Sequence, residues 1–272
     1  MLEPTASSPL YLDQGSGSPV VLVHGSLCDY RYWRWQLSDL SHTHRVIAPS
    51  LAGYWPSLDL PNFDARTQAH TLLQQLDALL GPDSRFHIVG HSRGAVVTLL
   101  LAELAPTRLK SLTLADPGLV QSTQAPAAPY LQDACTLIDQ GDVDAGLALF
   151  VDAVNGEGTW RQMVRWFREM VHDNAATLGP QSHEQRYLVD LPALSTQLHC
   201  PVLFMGGQHS PTRYAECIQQ LLQFFPHAYE VTIAHAAHGM NLANPKAFNQ
   251  SLLRFLAATD NQQARTGSAL EP

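Results

Sequence analysis

Short apolar runs alternate with longer amphipathic segments along most of this 272-residue chain. The run Val20–Val23 is continuous and rich in β-branched residues, which is typical of a strand buried on both faces. Similar runs predict further strands at Arg45–Ala48, Phe86–Val89, Ser111–Ala115, Pro201–Met205 and Ala228–Ile233. Apolar residues at helical spacing predict helices between them, at Trp33–Leu40, Thr67–Leu80, Ala95–Leu104, Arg213–Phe225 and Pro245–Leu256. This alternation predicts an α/β fold with a mainly parallel central sheet and helices on both faces.

One interval, Leu119–His199, contains no strand pattern and instead carries three helical pieces, at Tyr130–Gln140, Val143–Val154 and Arg161–Asn174. An all-helical insert in an α/β sheet predicts a cap over the carboxyl ends of the strands, where such sheets bind ligands. We therefore expect a core formed by residues 1–118 and 199–258 and a helical cap over residues 119–198. The last segment, residues 259–272, is polar, and we expect it to be a disordered tail.

Composition narrows the classes of function. With 45 % hydrophobic and 15 % charged residues, the chain has the composition of a globular protein. Its net charge of −8 and the lack of a basic run argue against nucleic acid as a partner. No apolar run reaches the roughly 18 residues of a membrane span, and the first residues lack the pattern of a signal peptide. We expect a cytoplasmic protein that acts on a small molecule.

The segment Gly90-His91-Ser92-Arg93-Gly94 lies where a predicted strand passes into a predicted helix. Glycine permits the sharp turn that such a junction requires. A G-x-S-x-G pattern in this setting is typical of a nucleophilic serine exposed at the end of a sheet, which makes Ser92 the candidate nucleophile. We expect His91 to pack and form hydrogen bonds beneath the turn.

A nucleophilic serine needs a base and a group that orients the base. His238 follows the last predicted strand in the loop before the final helix, so we predict that it is the base and that His235 is structural. The loop after Pro201–Met205, the usual place for the acid, contains no carboxylate. Asp116 ends the strand that follows the elbow, and we predict that it orients His238, although it could also serve only as a turn residue before Pro117.

Backbone amides are the expected donors to the oxyanion. The Arg93 amide opens the helix after Ser92, and the Ser26 amide follows the first predicted strand in the sequence His24-Gly25-Ser26. The Ser26 and Arg93 amides are therefore the predicted oxyanion hole. This chemistry needs neither a metal nor an organic cofactor.

The segments VVLVHGS, HIVGHSRGAVV, LADPGL, PVLFMGG and HAAHGMNLANPKAFN resemble the α/β-hydrolase superfamily. They extend over almost the whole chain outside the helical insert. The acid after the earlier strand resembles the arrangement in haloalkane dehalogenases and zearalenone lactonases. Dehalogenases of this kind carry Asp as the nucleophile. Because Ser92 stands here instead, the resemblance implies hydrolysis of an ester, thioester or lactone.

The Arg93 side chain has two interpretations. It could recognise a substrate carboxylate, as the resemblance of GHSRG to fluoroacetate dehalogenases suggests, or it could turn away and pair with a carboxylate of the protein. Aromatic and apolar residues occur after the predicted oxyanion loop and at helical spacing in the insert. From them we predict an apolar pocket for a substrate with an apolar or aromatic part, lined by Tyr30, Trp33, Trp160, Met163 and Trp166.

The sequence therefore predicts a serine hydrolase with an acyl-enzyme intermediate, an esterase or lactonase. Three alternatives stay open: a C–C bond hydrolase of a dioxo acid, a perhydrolase, and a ligand-binding protein with little turnover. If His238 is the base, activity should fall on acidification near the ordinary histidine pKa of about 6.5, or above it if Asp116 stabilises the imidazolium.

Overall fold

A computed structural model describes residues 10–59, 62–119, 128–185 and 187–268. Their strands form one seven-stranded sheet in the order β1-β3-β2-β4-β5-β6-β7. All neighbouring strands are parallel except β1 and β3, which pair antiparallel. The strands are β1 (Tyr11–Gln14), β2 (Ser18–Val23), β3 (His44–Pro49), β4 (Phe86–His91), β5 (Leu109–Ala115), β6 (Val202–Gly207) and β7 (Tyr229–Ile233). The six predicted strands and the predicted fold class are confirmed.

Helices cover both faces of the sheet. On one face Val21 and Ile88 pack against α2 (Ala65–Leu80), α3 (Arg93–Leu104) and α10 (Thr212–Leu222). On the other face Val20 and Val89 pack against α1 (Arg34–Leu40), α11 (Met240–Ala243) and α12 (Pro245–Ser268). Adjacent residues of one strand thus face different layers, as the alternation of side chains along a strand requires. The inner strands β2 to β6 are buried on both sides, which is why their sequences read as continuous apolar runs.

The interval between β5 and β6 is helical wherever it has regular structure in the described residues. Its helices are α4 (Pro129–Asp139), α5 (Val143–Asn155), α6 (Thr159–Gln162), α7 (Arg165–Asp173), α8 (Leu178–His183) and α9 (Leu191–Gln197). The predicted single helix over Arg161–Asn174 is wrong, because the extended backbone of Met163 and Val164 separates α6 from α7. We call residues 128–198 the helical insertion.

The expected disorder from residue 259 onward is wrong for residues 259–268, which continue α12. Polar side chains hold this extension to the sheet. Asp260 accepts hydrogen bonds from Lys110 at 2.5 Å and from Ser18 at 3.3 Å, and Thr259 is buried. A polar segment can therefore be ordered when its side chains pair with charges on the body of the protein. Residues 269–272 lie outside the described residues.

A buried polar network joins the helical insertion to the segment that follows β2. The Asp29 carboxylate, fully buried, accepts hydrogen bonds from Arg31 at 2.6 Å and from Asn174 Nδ2 at 2.8 Å. Asn174 Oδ1 in turn accepts from the Trp55 backbone N–H at 2.8 Å, and Arg31 also pairs with Asp173. Because buried charges need such partners, this network fixes the end of α7 against the core. No helix in the described part of the chain is long and apolar enough to cross a bilayer.

We predict that Asn174→Ala destabilises the fold by about 2–4 kcal/mol, because the substitution leaves the Asp29 carboxylate and the Trp55 amide short of buried partners. The free energy of unfolding in urea measures the loss. Asn261→Ala, at an exposed position of α12, is the control and should change that free energy by less than about 0.5 kcal/mol. Equal stability of the two variants would contradict the importance of the network.

Candidate active site

Ser92 occupies a strained turn between β4 and α3. Its backbone has φ 56° and ψ −122°, a conformation that non-glycine residues adopt only under constraint from their surroundings. Gly90 and Gly94 let the turn pack closely against neighbouring residues, because neither has a side chain. A Cβ on Gly94 would lie 2.3 Å from the His24 carbonyl oxygen, and one on Gly90 would lie 2.5 Å from Thr98 Oγ1. The turn is therefore packed too closely for a larger residue at either glycine.

The structure brings the predicted serine, histidine and aspartate together. His238 Nε2 lies 2.9 Å from Ser92 Oγ, and His238 Nδ1 lies 3.2 Å from Asp116 Oδ2. The carboxylate can only accept from Nδ1–H at this distance, so Nε2 is left to accept the serine hydroxyl proton. His238 and Asp116 are both buried. His235, in contrast, is exposed, and its amide donates to Gln208 Oε1.

A second donor reaches Asp116 from the loop after β6, the loop in which the sequence has no carboxylate. Ser210 Oγ donates a hydrogen bond of 2.5 Å to Asp116 Oδ2. The Asp116 backbone is itself in the left-handed region, with φ 40°, and its amide donates to Met205 O at the end of β6. The aspartate at the end of β5 is thus held by the neighbouring strand and its loop.

Burial governs the electrostatics of this pair. It lowers the pKa of His238, and the positive charge of Arg213 acts in the same direction. Burial also raises the pKa of Asp116 to about 6, while the hydrogen bond from Ser210 opposes that rise. Both shifts disfavour the charged forms. At neutral pH the pair therefore holds a neutral imidazole beside an ionised carboxylate.

Two aromatic neighbours fix the imidazole ring of His238. The Tyr214 ring stacks on it at 4.1 Å between centroids and an interplanar angle of 15°. His91 Nε2 donates to the His238 carbonyl oxygen at 2.8 Å, and its ring lies 4.5 Å from that of His238. Burial, with His238 nearby, lowers the pKa of His91, so this histidine is neutral. The expected packing role of His91 beneath the turn matches this arrangement.

The predicted oxyanion residues, Ser26 and Arg93, line a cavity together with Ser92. Arg93 is the first residue of α3, so its amide has no partner within the helix. The Arg93 side chain turns away from the serine. It forms a salt bridge with Glu184 of the helical insertion and a hydrogen bond with Gln68 of α2. Of the two interpretations of Arg93, the structure agrees with the pairing to a protein carboxylate.

A first cavity of about 600 Å³ opens at Ser92 between the core and the helical insertion. Its walls are mainly apolar and include Phe150, Val154, Met163, Val164, Trp166 and Phe167. Met163 and Trp166 are thus in the predicted pocket.

Tyr30, Trp33 and Trp160, the other three predicted pocket residues, do not line the first cavity. Tyr30 packs on Trp55, Trp33 packs on Phe248, and Trp160 contacts His172. Each is buried in the packing between elements. The predictions for these three residues are wrong because helical spacing does not tell which aromatic ring faces a cavity and which faces a neighbouring element.

A second cavity of about 370 Å³ adjoins Ser92 on the side of Arg93, Pro117 and Gly118. Its walls are more polar and include Glu184, Tyr130 and Arg213. Cys28, in the first cavity, adds no charge, because burial raises the pKa of its thiol. In the described residues, no cluster of three His, Cys, Asp or Glu side chains is arranged to hold a metal ion.

Sequence reasoning missed Ser210, Tyr214 and Arg213. For Ser210 a signal existed, since a hydroxyl stands in the loop where a carboxylate is expected and could support an acid placed elsewhere. Tyr214 and Arg213 open α10, and their positions follow only from the packing of that helix against the loop that carries His238.

Comparison with known proteins gives the same fold. The family described as "Alpha/beta hydrolase family" matches residues 20–251 of this chain. The (E)-2-((N-methylformamido)methylene)succinate hydrolase of Acinetobacter baylyi is 27 % identical over 92 % of this chain and 94 % of its own length. Esterase YbfF of Escherichia coli is 24 % identical over 90 % of this chain and 95 % of its own.

Among solved structures, a thermophilic esterase from Thermogutta terrifontis with bound malate superimposes with a TM-score of 0.71. It is 23 % identical, and the match covers 92 % of this chain and 93 % of that one. The family match covers more than four fifths of the chain, and the seven-stranded sheet agrees with it. The chain belongs to the alpha/beta hydrolase family and is a hydrolase.

Proposed function

We propose that this protein is a serine hydrolase that cleaves a carboxylic ester through an acyl-enzyme. The observation that carries the proposal is the relay of hydrogen bonds from Ser92 Oγ to His238 Nε2 and from His238 Nδ1 to Asp116 Oδ2. These distances suit proton transfer from the serine to the histidine. Ser92 lines two cavities large enough for a small substrate, while His238 and Asp116 behind it are buried.

In the first half of the reaction, Ser92 Oγ attacks the carbonyl carbon of the ester while His238 Nε2 takes the serine proton. The carbonyl π electrons move onto oxygen, and the amides of Ser26 and Arg93 stabilise that oxyanion. When the tetrahedral intermediate collapses, the C–O bond to the alcohol breaks. The departing alkoxide takes the proton from His238, which leaves an acyl group on Ser92 and a neutral imidazole.

The second half repeats these steps with water. His238 removes a proton from water, whose oxygen attacks the acyl carbon, and the Ser92 oxygen leaves with that proton. Asp116 stabilises the transient imidazolium and keeps Nδ1 protonated throughout. Tyr214 and the His91–His238 hydrogen bond hold the ring in place, so the same nitrogen faces Ser92 in both halves.

The helical insertion acts as a cap in this proposal, because it supplies most of the apolar wall of the first cavity. An apolar or aromatic group fits that wall better than a charged one, since a charge would lose its hydration there. We propose esters, and lactones of similar size, with such a group as the substrate class.

Hydrolysis of an amide is a second candidate. The observation that favours it is the similarity, over 92 % of this chain, to a hydrolase named for an N-methylformamido derivative of succinate. The same relay of residues can protonate a leaving nitrogen. An activity screen over p-nitrophenyl esters, lactones, N-alkylformamides and dioxo acids separates ester, amide and C–C bond hydrolysis.

We predict that Ser92→Ala lowers kcat by a factor on the order of 10⁶, because it removes the nucleophile while leaving the oxyanion donors. The same variant should lose covalent labelling by a fluorophosphonate probe. Ser57→Ala, which changes an exposed serine, is the matched control and should keep both activity and labelling. Ester hydrolysis by Ser92→Ala at near wild-type rate would refute the mechanism.

Asp116→Asn should lower kcat by about 10⁴, since an amide in this place favours the wrong histidine tautomer without changing the shape of the site. Steady-state kinetics with a p-nitrophenyl ester measure the loss. Asp133→Asn, at an exposed carboxylate of α4, is the control. If both variants kept wild-type kcat, Asp116 would have no role in orienting the base.

The pH profile follows from the pair formed by His238 and Asp116. Acidification adds a proton to this pair, and burial places the Asp116 pKa at about 6. We therefore expect kcat/KM to fall as the pH decreases through about 6, slightly below the ordinary histidine value of about 6.5. The sequence predicts a fall near 6.5, or above it if Asp116 stabilises the imidazolium; the structure favours the lower pH, because burial is the largest influence on both pKa values.

Ser210→Ala tests this assignment. The Ser210 hydrogen bond lowers the Asp116 pKa, so its loss should raise that pKa and move the fall in kcat/KM to higher pH. Ser57→Ala should leave the profile unchanged. A profile that does not respond to Ser210→Ala would mean that another group controls the acid limb.

A further inference from the structure

The two cavities that meet at Ser92 differ in chemistry. Ser26 and Ser92 belong to the walls of both, so a carbonyl group at Ser92 can direct one substituent into each cavity. The first cavity is mainly apolar, whereas the second contains three charged side chains, Arg93, Glu184 and Arg213. The two sides of the substrate are therefore expected to differ in polarity.

The charges of the second cavity do not cancel. Arg93 and Glu184 neutralise each other in a salt bridge. Arg213 bonds only neutral groups among the described residues, namely the Ala153 carbonyl oxygen at 2.9 Å and the Tyr214 hydroxyl at 3.3 Å. The segment 120–127, which follows the cavity residue Leu119 in the chain, contains no Asp or Glu. Among the described residues Arg213 thus forms no salt bridge with a carboxylate, although its charge also acts on the buried Asp116 carboxylate.

The guanidinium of Arg213 is also held in one place. Its Cζ lies 4.7 Å from the centre of the Tyr214 ring and 5.6 Å from that of Tyr130. The side chain is exposed, so it keeps its hydration in the free protein. A planar guanidinium whose orientation is already fixed can form a bidentate pair with a carboxylate at little cost in conformational entropy.

The position of His238 decides which part of the substrate enters the second cavity. The leaving group must take its proton from His238 Nε2, and His238 lines the first cavity. The leaving group therefore occupies the first cavity. The acyl chain extends the other way, past Arg93 and Gly118, into the cavity that contains Arg213.

We propose that Arg213 binds a carboxylate at the far end of the acyl chain, so that the substrates are monoesters of dicarboxylic acids with an apolar or aromatic alcohol. This proposal rests on the serine hydrolase function proposed above. It goes beyond that function because it assigns an anion to one cavity and a direction to the substrate.

The experiment compares mono-p-nitrophenyl adipate and suberate with the same esters in which the free carboxylate is replaced by a carboxamide. The amides match the acids in shape and lack the charge. We expect the wild-type protein to prefer the acids in kcat/KM by about ten-fold. Arg213→Gln should abolish this preference, and Arg213→Lys should keep part of it. Added salt should weaken the preference, because the charge is exposed.

The exposed Arg161 of α6 provides the control, and Arg161→Gln should keep the wild-type ratio. Comparing the ratio of kcat/KM for the acid to kcat/KM for the amide cancels any general loss of activity that Arg213→Gln causes through His238.

If the carboxamides are hydrolysed as well as the acids, or if Arg213→Gln keeps the preference, this inference is overturned and the hydrolase function stands. 4-Carboxyphenyl butyrate carries the carboxylate on the leaving phenol instead of the acyl chain. If the protein prefers this ester to the acyl-chain acids, the assignment of the acyl chain to the second cavity is overturned. If no ester is cleaved and Ser92 resists labelling, both proposals fail.

Discussion

The close contact between the turn at Ser92 and the end of β2 is the constraint on which the rest of the site depends. Gly94 packs so tightly against the backbone of Val23 and His24 that any side chain at this position would overlap their carbonyl oxygens. The contact brings the loop that carries Ser26 beside the serine. It also forces Ser92 into its left-handed conformation, whose cost of about 1–3 kcal/mol must be offset by the surrounding packing.

Neutral histidines hold the loops around this contact. His24 donates from Nδ1 to Gly25 O at 2.8 Å and accepts at Nε2 from the Leu51 amide at 2.9 Å, which fixes both its tautomer and the loop after β2. His91 holds the loop after β7 through the His238 carbonyl oxygen. Burial lowers the pKa of His24 to about 4, and that of His91 also falls. Because both rings stay neutral, these hydrogen bonds persist well below neutral pH, and we therefore assign the predicted loss of activity on acidification to the pair of His238 and Asp116.

Those parts of the protein that depend on local pattern could be predicted from the sequence. The buried strands have continuous apolar runs, and the serine turn has its glycines, so their positions along the chain follow directly. Asp116 could be chosen because the alternative loop has no carboxylate. β1 was missed because Tyr11–Gln14 is short and mostly exposed, and its pairing with β3 is antiparallel at the edge of the sheet.

Contacts between distant segments could not be predicted from the sequence. The end of α12 is polar, and contacts with distant residues, such as those of Asp260 with Lys110 and Ser18, hold it to the sheet. Trp160 and Trp166 belong to neighbouring helices, yet one is buried in packing and the other faces the cavity, because the break at Met163–Val164 changes the direction of the chain. Ser210 reaches Asp116 across 94 positions. Such pairings depend on the tertiary arrangement and leave no periodic pattern in the sequence.

The helical insertion forms polar contacts with three of the segments that build the site. Asn155 Oδ1 accepts from the Gly239 amide beside His238, Asn174 donates to Asp29 beside the Ser26 loop, and Glu184 pairs with Arg93 beside Ser92. These two hydrogen bonds and one charged pair stabilise the closed arrangement together with the apolar packing of the insertion on the core. The closed form is therefore the resting state. Selection among substrates then depends on the shape and charge of two cavities that exist before the substrate binds. Because the insertion is already closed, its closure cannot add binding energy for a substituent that fits neither cavity.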